Sequence, residues 1–217
     1  MLNTRVKICG ITRPEDAEFA AQTGADAIGM VFYEKSARFV SDLALAREIA
    51  EAAGPFTSVV ALFVNAEPAE IEHVLTSVPV QLLQFHGDEL PEQCDVYERP
   101  YVKAIRMRPD IDVIAEFTRY KKASGFLLDT YVKGSPGGTG ECFNWDRFPS
   151  NSASTAQPLP HLVLAGGLTP ENVDKAIAAT SPYAVDVSGG VEVQPGIKDH
   201  QKIKAFITKA KTGVQSE

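Results

Sequence analysis

Short apolar segments alternate with amphipathic segments along the whole chain. The amphipathic segments carry helix signals at their ends: Pro14 lies near the start of the first, Gly24 closes it, and Ser41 is the predicted N-cap of the second. Eight apolar runs have the length and composition of buried parallel strands. They are "VKIC" (6–9), "AIGMVF" (27–32), "SVVALFV" (58–64), "VQLLQF" (80–85), "YVKAIR" (101–106), "GFLLD" (125–129), "HLVLAG" (161–166) and "AVDVS" (184–188).

Eight strands alternating with helices in 217 residues predict a (β/α)₈ TIM barrel of the α/β class, folded as a single domain over residues 1–217. A doubly wound open sheet is the alternative that the same pattern permits. The sixth connection is irregular because it is polar and contains proline. We therefore predict an exposed loop over 149–160 after a short sixth helix.

The charge balance limits the kinds of partner. Acidic residues outnumber basic residues 28 to 21, giving a net charge of −7. A nucleic-acid surface would need a basic face, so no nucleic-acid partner is expected, whereas an anionic small molecule remains compatible. The most apolar run is too short to span a bilayer, and the first residues lack a signal-peptide core. We predict a cytoplasmic protein without a membrane partner.

Cysteine and histidine spacing argues against bound metal. Cys9, Cys94 and Cys142 are widely separated, and the four histidines are scattered. Neither pattern fits a disulfide framework or a metal-binding motif, so we expect no metal and no other cofactor.

Two glycine-rich turns follow the last two predicted strands. Gly166 and Gly167 lie in "AGGLTPEN", and Ser188, Gly189 and Gly190 lie in "VSGGVEVQPG". The loops after strands seven and eight form the recurrent phosphate site of TIM barrels, although glycines can also serve only to make tight turns. A third segment, "KGSPGGTG" (133–140), lacks the ending of a P-loop and is either a flap that closes on ligand or a plain flexible loop.

The ends of strands one and six carry a thiol and a carboxylate. Cys9 and Lys7 share one face of a strand, and a lysine ammonium favours the thiolate that acts as base or nucleophile. Asp129 ends an apolar strand, where burial favours the protonated acid. The pair could therefore act as base and acid on one substrate. A core cysteine and a capping aspartate fit the spacing equally well.

Two further strand-end or loop residues have open interpretations. Arg38 could hold a carboxylate with its planar guanidinium, or be a solvated loop residue. His86 is expected to be a hydrogen-bonded strand-end residue rather than a metal ligand.

In this order, the motifs resemble those of phosphoribosylanthranilate isomerase, the barrel enzyme of tryptophan biosynthesis. The resemblance covers nearly the whole chain and departs from the family at Ala37 (usually proline), Asn144 (usually aspartate) and Gly189 (usually a second serine). The motifs are "KICGIT" (7–12), "MVFYEKSARFV" (30–40), "LLQFHGDE" (82–89), "KAIR" (103–106), "LLDT" (127–130), "GGTGECFNW" (137–145), "LAGGLTPENV" (164–173), "DVSGGVE" (186–192) and "PGIKD" (195–199).

The resemblance implies an Amadori rearrangement of N-(5-phosphoribosyl)anthranilate to the 1-deoxyribulose phosphate, with no redox step and no metal. It implies Asp129 as the acid, Cys9 as the base and Arg38 facing the anthranilate carboxylate. The partner is then a phosphorylated small molecule, and the chain a monomer or homodimer. The residues predicted to bind substrate are Lys7, Arg38, His86, Gly138, Gly166, Gly167, Asp186, Ser188, Gly189 and Gly190.

Three other functions remain as alternatives. An isomerase of histidine biosynthesis resembles this architecture but uses two aspartates, and Cys9 on strand one argues against it. A non-catalytic phosphate-binding barrel would lack turnover. A thiol-redox protein would need a resolving cysteine, and none lies near Cys9 in the sequence.

Overall fold

A computed structural model describes residues 4–130, 144–149 and 159–212 of the chain. Its eight main strands form one closed parallel barrel in chain order, which confirms the predicted TIM barrel and rules out the open sheet. The strands are β1 (Arg5–Cys9), β2 (Ala27–Val31), β3 (Ser58–Phe63), β4 (Leu82–Phe85), β5 (Tyr101–Arg106), β6 (Gly125–Asp129), β7 (Leu162–Leu164) and β8 (Ala184–Val187).

Helices follow most strands, as the amphipathic segments predict. In the described residues they are α1 (Pro14–Thr23), α2 (Leu43–Ala52), α3 (Pro68–Ser77), α4 (Pro91–Cys94), α5 (Val113–Arg119), α6 (Val173–Thr180) and α7 (His200–Thr212). Gly24 ends α1 in the left-handed conformation, with φ of 101°. The prediction of Ser41 as N-cap is wrong by one residue, because the Asp42 carboxylate accepts the Ala44 N–H at 2.8 Å.

The strands bury both faces, which explains their unbroken apolar runs. One face packs against the helices in the main core, as Ile8 and Ile28 do. The other face fills the barrel with two small clusters. Cys9, Val31 and Leu62 form one; Ala104, Leu127 and Ala165 form the other.

Two irregular parts lie outside the repeating pattern. The sixth connection contains one 3₁₀ turn at Trp145–Arg147 where a short helix was predicted, and most of the loop predicted over 149–160 falls outside the described residues. After β8 comes a small antiparallel hairpin, β9 (Glu192–Gln194) and β10 (Ile197–Lys198). Among the helices described, none combines the length and apolarity needed to cross a membrane.

Candidate active site

A cavity of about 910 Å³ opens at the carboxyl ends of the barrel strands. Lys7 is buried in β1, two residues before Cys9, and does not line this cavity. Gly138 and the rest of the 133–140 segment lie outside the described residues. A second cavity, of about 540 Å³, lies near the start of β3 and contacts none of the predicted site residues. The predicted residues that line the first cavity are Cys9, Arg38, His86, Asp129, Gly166, Gly167, Asp186, Ser188, Gly189 and Gly190.

Cys9 is a buried thiol beside an ion pair. The Lys7 ammonium lies 2.7 Å from Asp186 Oδ1, because β1 and β8 pair in a register that places these two residues side by side. Burial raises the pKa of the Cys9 thiol above its usual value, and the Lys7 ammonium opposes this without overcoming it. Burial also works against the charge of Lys7, but Asp186 and Cys9 outweigh it and raise the pKa of Lys7. Burial and the neighbouring ammonium therefore act on the Cys9 thiol in opposite directions, and burial has the larger effect on its pKa.

Gly29 on β2 makes room for this arrangement. A Cβ at this position would lie 2.9 Å from Lys7 Nζ and 3.0 Å from Cys9 Sγ. Ordinary contacts between such atoms are about 3.5–4.0 Å, so any side chain here would push on both groups. The signal that could have revealed Gly29 is a glycine inside an apolar strand, which often marks a close approach.

Asp129 is held by its neighbours on both oxygens. Oδ1 accepts the Thr130 N–H at 2.8 Å, and Oδ2 lies 3.1 Å from His86 Nε2. On the other side of the ring, Gln84 Nε2 lies 2.9 Å from His86 Nδ1. The prediction that His86 is hydrogen-bonded at a strand end is confirmed. Sequence reasoning missed Gln84, which reaches His86 because the two side chains share one strand face.

The glycine turns after β7 and β8 lie against each other. Gly166 and Gly167 adopt φ of 82° and 66°, values that favour glycine. A Cβ on Gly190 would collide with the Leu168 carbonyl oxygen, so this glycine lets the two loops pack closely. The Ser188 hydroxyl is buried and has no hydrogen-bond partner in the described part of the chain. A buried hydroxyl beside two glycine turns, with no partner among the described residues, is available to a polar ligand.

Arg38 is anchored rather than solvated. Its Nε and Nη2 donate to the two carboxylate oxygens of Glu192 at 2.8 and 2.6 Å. This hydrogen-bonded pairing raises the pKa of Arg38. The open interpretation of Arg38 as a solvated loop residue is therefore wrong. A ligand carboxylate could reach only the guanidinium N–H groups that Glu192 leaves over.

Glu192 also contacts two lysines that follow it in the chain. Its side chain also accepts from Lys198 at 2.8 Å, and its carbonyl accepts from Lys202 at 2.9 Å. Burial works against the charge of Glu192, but Arg38 and Lys198 outweigh it and lower its pKa. Burial also lowers the pKa of Lys198, against the attraction of Glu192. Arg38 and Lys198 on the carboxylate of Glu192, with Lys202 on its carbonyl, make this side of the pocket favourable to an anion.

The fold and this pocket define the protein as a TIM-barrel enzyme, with its titratable side chains and glycine turns collected at the carboxyl ends of the strands. The family model for N-(5'-phosphoribosyl)anthranilate (PRA) isomerase matches residues 6–209. The isomerase of that name from Cellvibrio japonicus is 56% identical over 208 residues, covering 96% of this chain and 94% of its own. That from Stutzerimonas stutzeri is 54% identical, covering 96% and 97%. The chain therefore belongs to the N-(5'-phosphoribosyl)anthranilate isomerase family, which confirms the resemblance seen in the motifs.

Solved structures agree with this assignment. Phosphoribosyl anthranilate isomerase from Thermotoga maritima has a TM-score of 0.82 and 40% identity, covering 96% of this chain and 98% of its own. A structure of such an isomerase in complex with reduced 1-(o-carboxyphenylamino)-1-deoxyribulose 5-phosphate has a TM-score of 0.79, 40% identity and the same coverage. The protein is thus an isomerase of tryptophan biosynthesis.

Proposed function

We propose that the protein converts N-(5-phosphoribosyl)anthranilate to 1-(2-carboxyphenylamino)-1-deoxyribulose 5-phosphate, with Cys9 as base and Asp129 as acid. The observation that carries this proposal is the order of groups around the barrel. Asp129 ends β6, the two glycine turns follow β7 and β8, and Cys9 ends β1, which pairs with β8. A phosphate held at the glycine turns places the attached sugar between the carboxylate and the thiol.

The chemistry of the rearrangement suits these two groups. Asp129 protonates the ring oxygen of the ribose as its bond to C1 breaks, and the nitrogen lone pair forms an iminium. The iminium acidifies the hydrogen on C2, which the Cys9 thiolate removes. The resulting enolamine gains a proton at C1 and loses one from the C2 hydroxyl, which yields the ketone. Only protons move, so the reaction calls for no redox partner.

The phosphate and the carboxylate of the substrate need separate partners. Ser188, Gly189 and Gly190, with Gly166 and Gly167, hold the phosphate in this proposal, supported by the unpartnered Ser188 hydroxyl. Gly189 offers only its backbone where the family usually has a second serine. The N–H groups of Arg38 that Glu192 leaves over receive the anthranilate carboxylate. The ligand in the related complex carries both a carboxylate and a phosphate, which supports this division.

The remaining residues support the base or bind the substrate in this proposal. Lys7 stabilises the thiolate of Cys9, and Asp186 holds Lys7 in place at 2.7 Å. Gly138, which lies outside the described residues, is assigned to substrate binding in this proposal on the family resemblance alone. We infer that the chain works as one domain over residues 1–217, as a monomer or homodimer in the cytoplasm. One similar structure comes from a dimeric isomerase of Thermotoga maritima.

The direct test is turnover of phosphoribosylanthranilate by the purified chain, compared with the Cys9→Ala variant. Wild type should convert the substrate, and Cys9→Ala should lose about 10²–10⁴-fold in kcat while its fold and affinity for the reduced product analogue persist. Near-normal kcat in Cys9→Ala would place the base elsewhere and leave Cys9 as a core residue. Absence of turnover in wild type, with phosphate still bound, would favour the non-catalytic barrel.

A further inference from the structure

Three side chains form a hydrogen-bonded row that ends on the proposed acid. Gln84, His86 and Asp129 are 1%, 8% and 7% exposed, and all three line the cavity. The contacts run from Gln84 Nε2 to His86 Nδ1 at 2.9 Å and from His86 Nε2 to Asp129 Oδ2 at 3.1 Å. Both lengths lie in the range of true hydrogen bonds.

Each hydrogen bond in this row has a defined donor and acceptor. An amide nitrogen can only donate, so His86 Nδ1 accepts from Gln84 and the single ring proton of neutral His86 sits on Nε2. That proton points at Asp129 Oδ2, while Asp129 Oδ1 already accepts the Thr130 N–H. In this arrangement Asp129 is an acceptor on both oxygens. A group that is to act as an acid must then receive its proton from a neighbour.

The backbone around His86 is fixed by buried contacts. His86 N–H donates to the Phe63 carbonyl at 2.8 Å. Immediately after it, Gly87 donates to Glu89 and accepts from Lys103 at 2.7 Å, and Lys103 and Glu89 form a buried ion pair at 2.8 Å. These contacts hold the backbone at His86, and the ring itself is held by its contacts with Gln84 and Asp129.

We propose that His86 supplies the proton of Asp129 and that Gln84 selects the ring nitrogen that faces it. This rests on the proposed acid role of Asp129. A proton from solvent, taken up at His86 Nδ1, gives an imidazolium–carboxylate pair. The Gln84 amide then turns, so that its oxygen accepts from Nδ1. Transfer of the Nε2 proton to Oδ2 leaves neutral imidazole and a carboxylic acid.

The proton count of this cycle closes. Asp129 gives its proton to the ring oxygen as the bond to C1 breaks, and returns to the carboxylate. The reaction adds protons at the ring oxygen and at C1, and it releases protons from C2 and from the C2 hydroxyl. The two additions balance the two losses, so a proton that the substrate releases can recharge Asp129 within each turnover. When Asp129 instead passes that proton back to Nε2 and Nδ1 returns its proton to solvent, Gln84 turns back and His86 regains the Nε2–H form. His86 and Gln84 are positioning residues in this scheme, because neither has to touch the substrate.

The first experiment compares catalysis with binding in His86→Ala. Its kcat should fall by about 10²-fold or more, while affinity for the reduced product analogue stays within about threefold of wild type. Added imidazole should raise the kcat of His86→Ala at least about tenfold, because it takes the place of the missing ring beside Asp129. His73→Ala, at an exposed position on α3, is the control and should keep wild-type kcat. A kcat near wild type in His86→Ala, or a loss that imidazole does not rescue, would overturn the proposal.

A double variant shows whether His86 acts through Asp129. If it does, His86→Ala combined with Asp129→Asn should be no slower than Asp129→Asn alone. Additive losses would assign His86 an independent role and contradict the relay. Full activity in Asp129→Asn would instead defeat the proposed acid, which distinguishes the two failures.

The tautomer of His86 can be read without any turnover. Nitrogen-15 NMR of the wild-type chain should show the Nε2–H form, and Gln84→Met should show a mixture of both tautomers. A wild-type Nδ1–H tautomer, or an unchanged tautomer in Gln84→Met, would refute the assignment of Gln84. This measurement remains valid if the His86 variants fail to fold, and if the wild-type chain proves to act on another substrate.

Discussion

Replacing Gly29 by alanine tests whether the geometry of Cys9 and Lys7 matters for catalysis. The added methyl group would lie 2.9 Å from Lys7 Nζ and 3.0 Å from Cys9 Sγ. Since normal contacts need about 3.5–4.0 Å, one or both groups must move by roughly 0.5–1 Å. Lys7 is the end of a flexible chain, but its ion pair with Asp186 at 2.7 Å resists the shift.

The magnitude follows from two separate costs. Overpacking a buried site costs about 1–3 kcal/mol of folding free energy, which lowers Tm by about 2–12 °C for a chain of this size. Displacing a reacting group by about 1 Å lowers kcat by up to about 10²-fold. We therefore expect kcat of Gly29→Ala to fall by about 10- to 100-fold, or about 1.4–2.7 kcal/mol of activation free energy.

Steady-state kinetics and inorganic phosphate competition should separate this effect from general damage. The phosphate inhibition constant should stay within about threefold of wild type, because the atoms nearest to the added methyl group belong to Lys7 and Cys9 and not to the glycine turns. Gly125→Ala is the matched control, since a Cβ there would lie 2.7 Å from the His161 carbonyl oxygen at the far end of β6. It should lower Tm but leave kcat of the folded protein near normal. An unchanged kcat in Gly29→Ala, or equal losses in both variants, would refute the reasoning.

Three further predictions concern charge and the phosphate loops. Arg38→Met should lower kcat/KM by about 10- to 100-fold and should treat phosphoribosylanthranilate and its aniline analogue nearly alike; continued discrimination would assign the carboxylate another partner. Gly190→Ala, through its collision with Leu168, should raise KM and weaken inorganic phosphate as a competitor; unchanged competition would move the anion site. Because burial raises the pKa of Cys9, kcat/KM should increase as the pH rises into the alkaline range. Lys7→Met should displace that increase to still higher pH, since it removes the cation that favours the thiolate. A pH-independent kcat/KM would exclude a thiolate base.

The sequence predicted the strands well because the physical cause of their pattern is local. A parallel barrel strand is covered on one face by helices and on the other by the barrel interior, so nearly every residue must be apolar. Helix ends are less certain, because neighbouring polar residues compete for the same role. Ser41 and Asp42 both suit an N-cap, and only the backbone geometry places the carboxylate of Asp42 over the free N–H groups.

The site was predictable only where its residues stand at strand ends or in recognised motifs. Cys9, His86 and Asp129 could be found because the architecture gathers strand ends at one rim. The contacts between them could not be found, because they depend on the register between strands. Gly29 meets Cys9 only because β2 pairs with β1 in one particular alignment. Glu192 and Arg38 are 154 positions apart in the sequence, so no local sequence pattern could predict their contact.

The partnering of charges explains why a thiol suits this position. The Lys7 ammonium is already paired with Asp186, and the Arg38 guanidinium with Glu192, so neither cation is free to ionise Cys9 fully before substrate arrives. Burial raises the pKa of the Cys9 thiol. In the proposed mechanism, the iminium that forms when the sugar ring opens brings a new positive charge next to C2, from which Cys9 removes the proton. That charge favours the thiolate at the step that needs it, while a buried thiol in the resting protein is protected from oxidation and from side reactions. In the same proposed mechanism ring opening returns Asp129 to the carboxylate, so the substrate sets the base, and not the acid, into its reactive state.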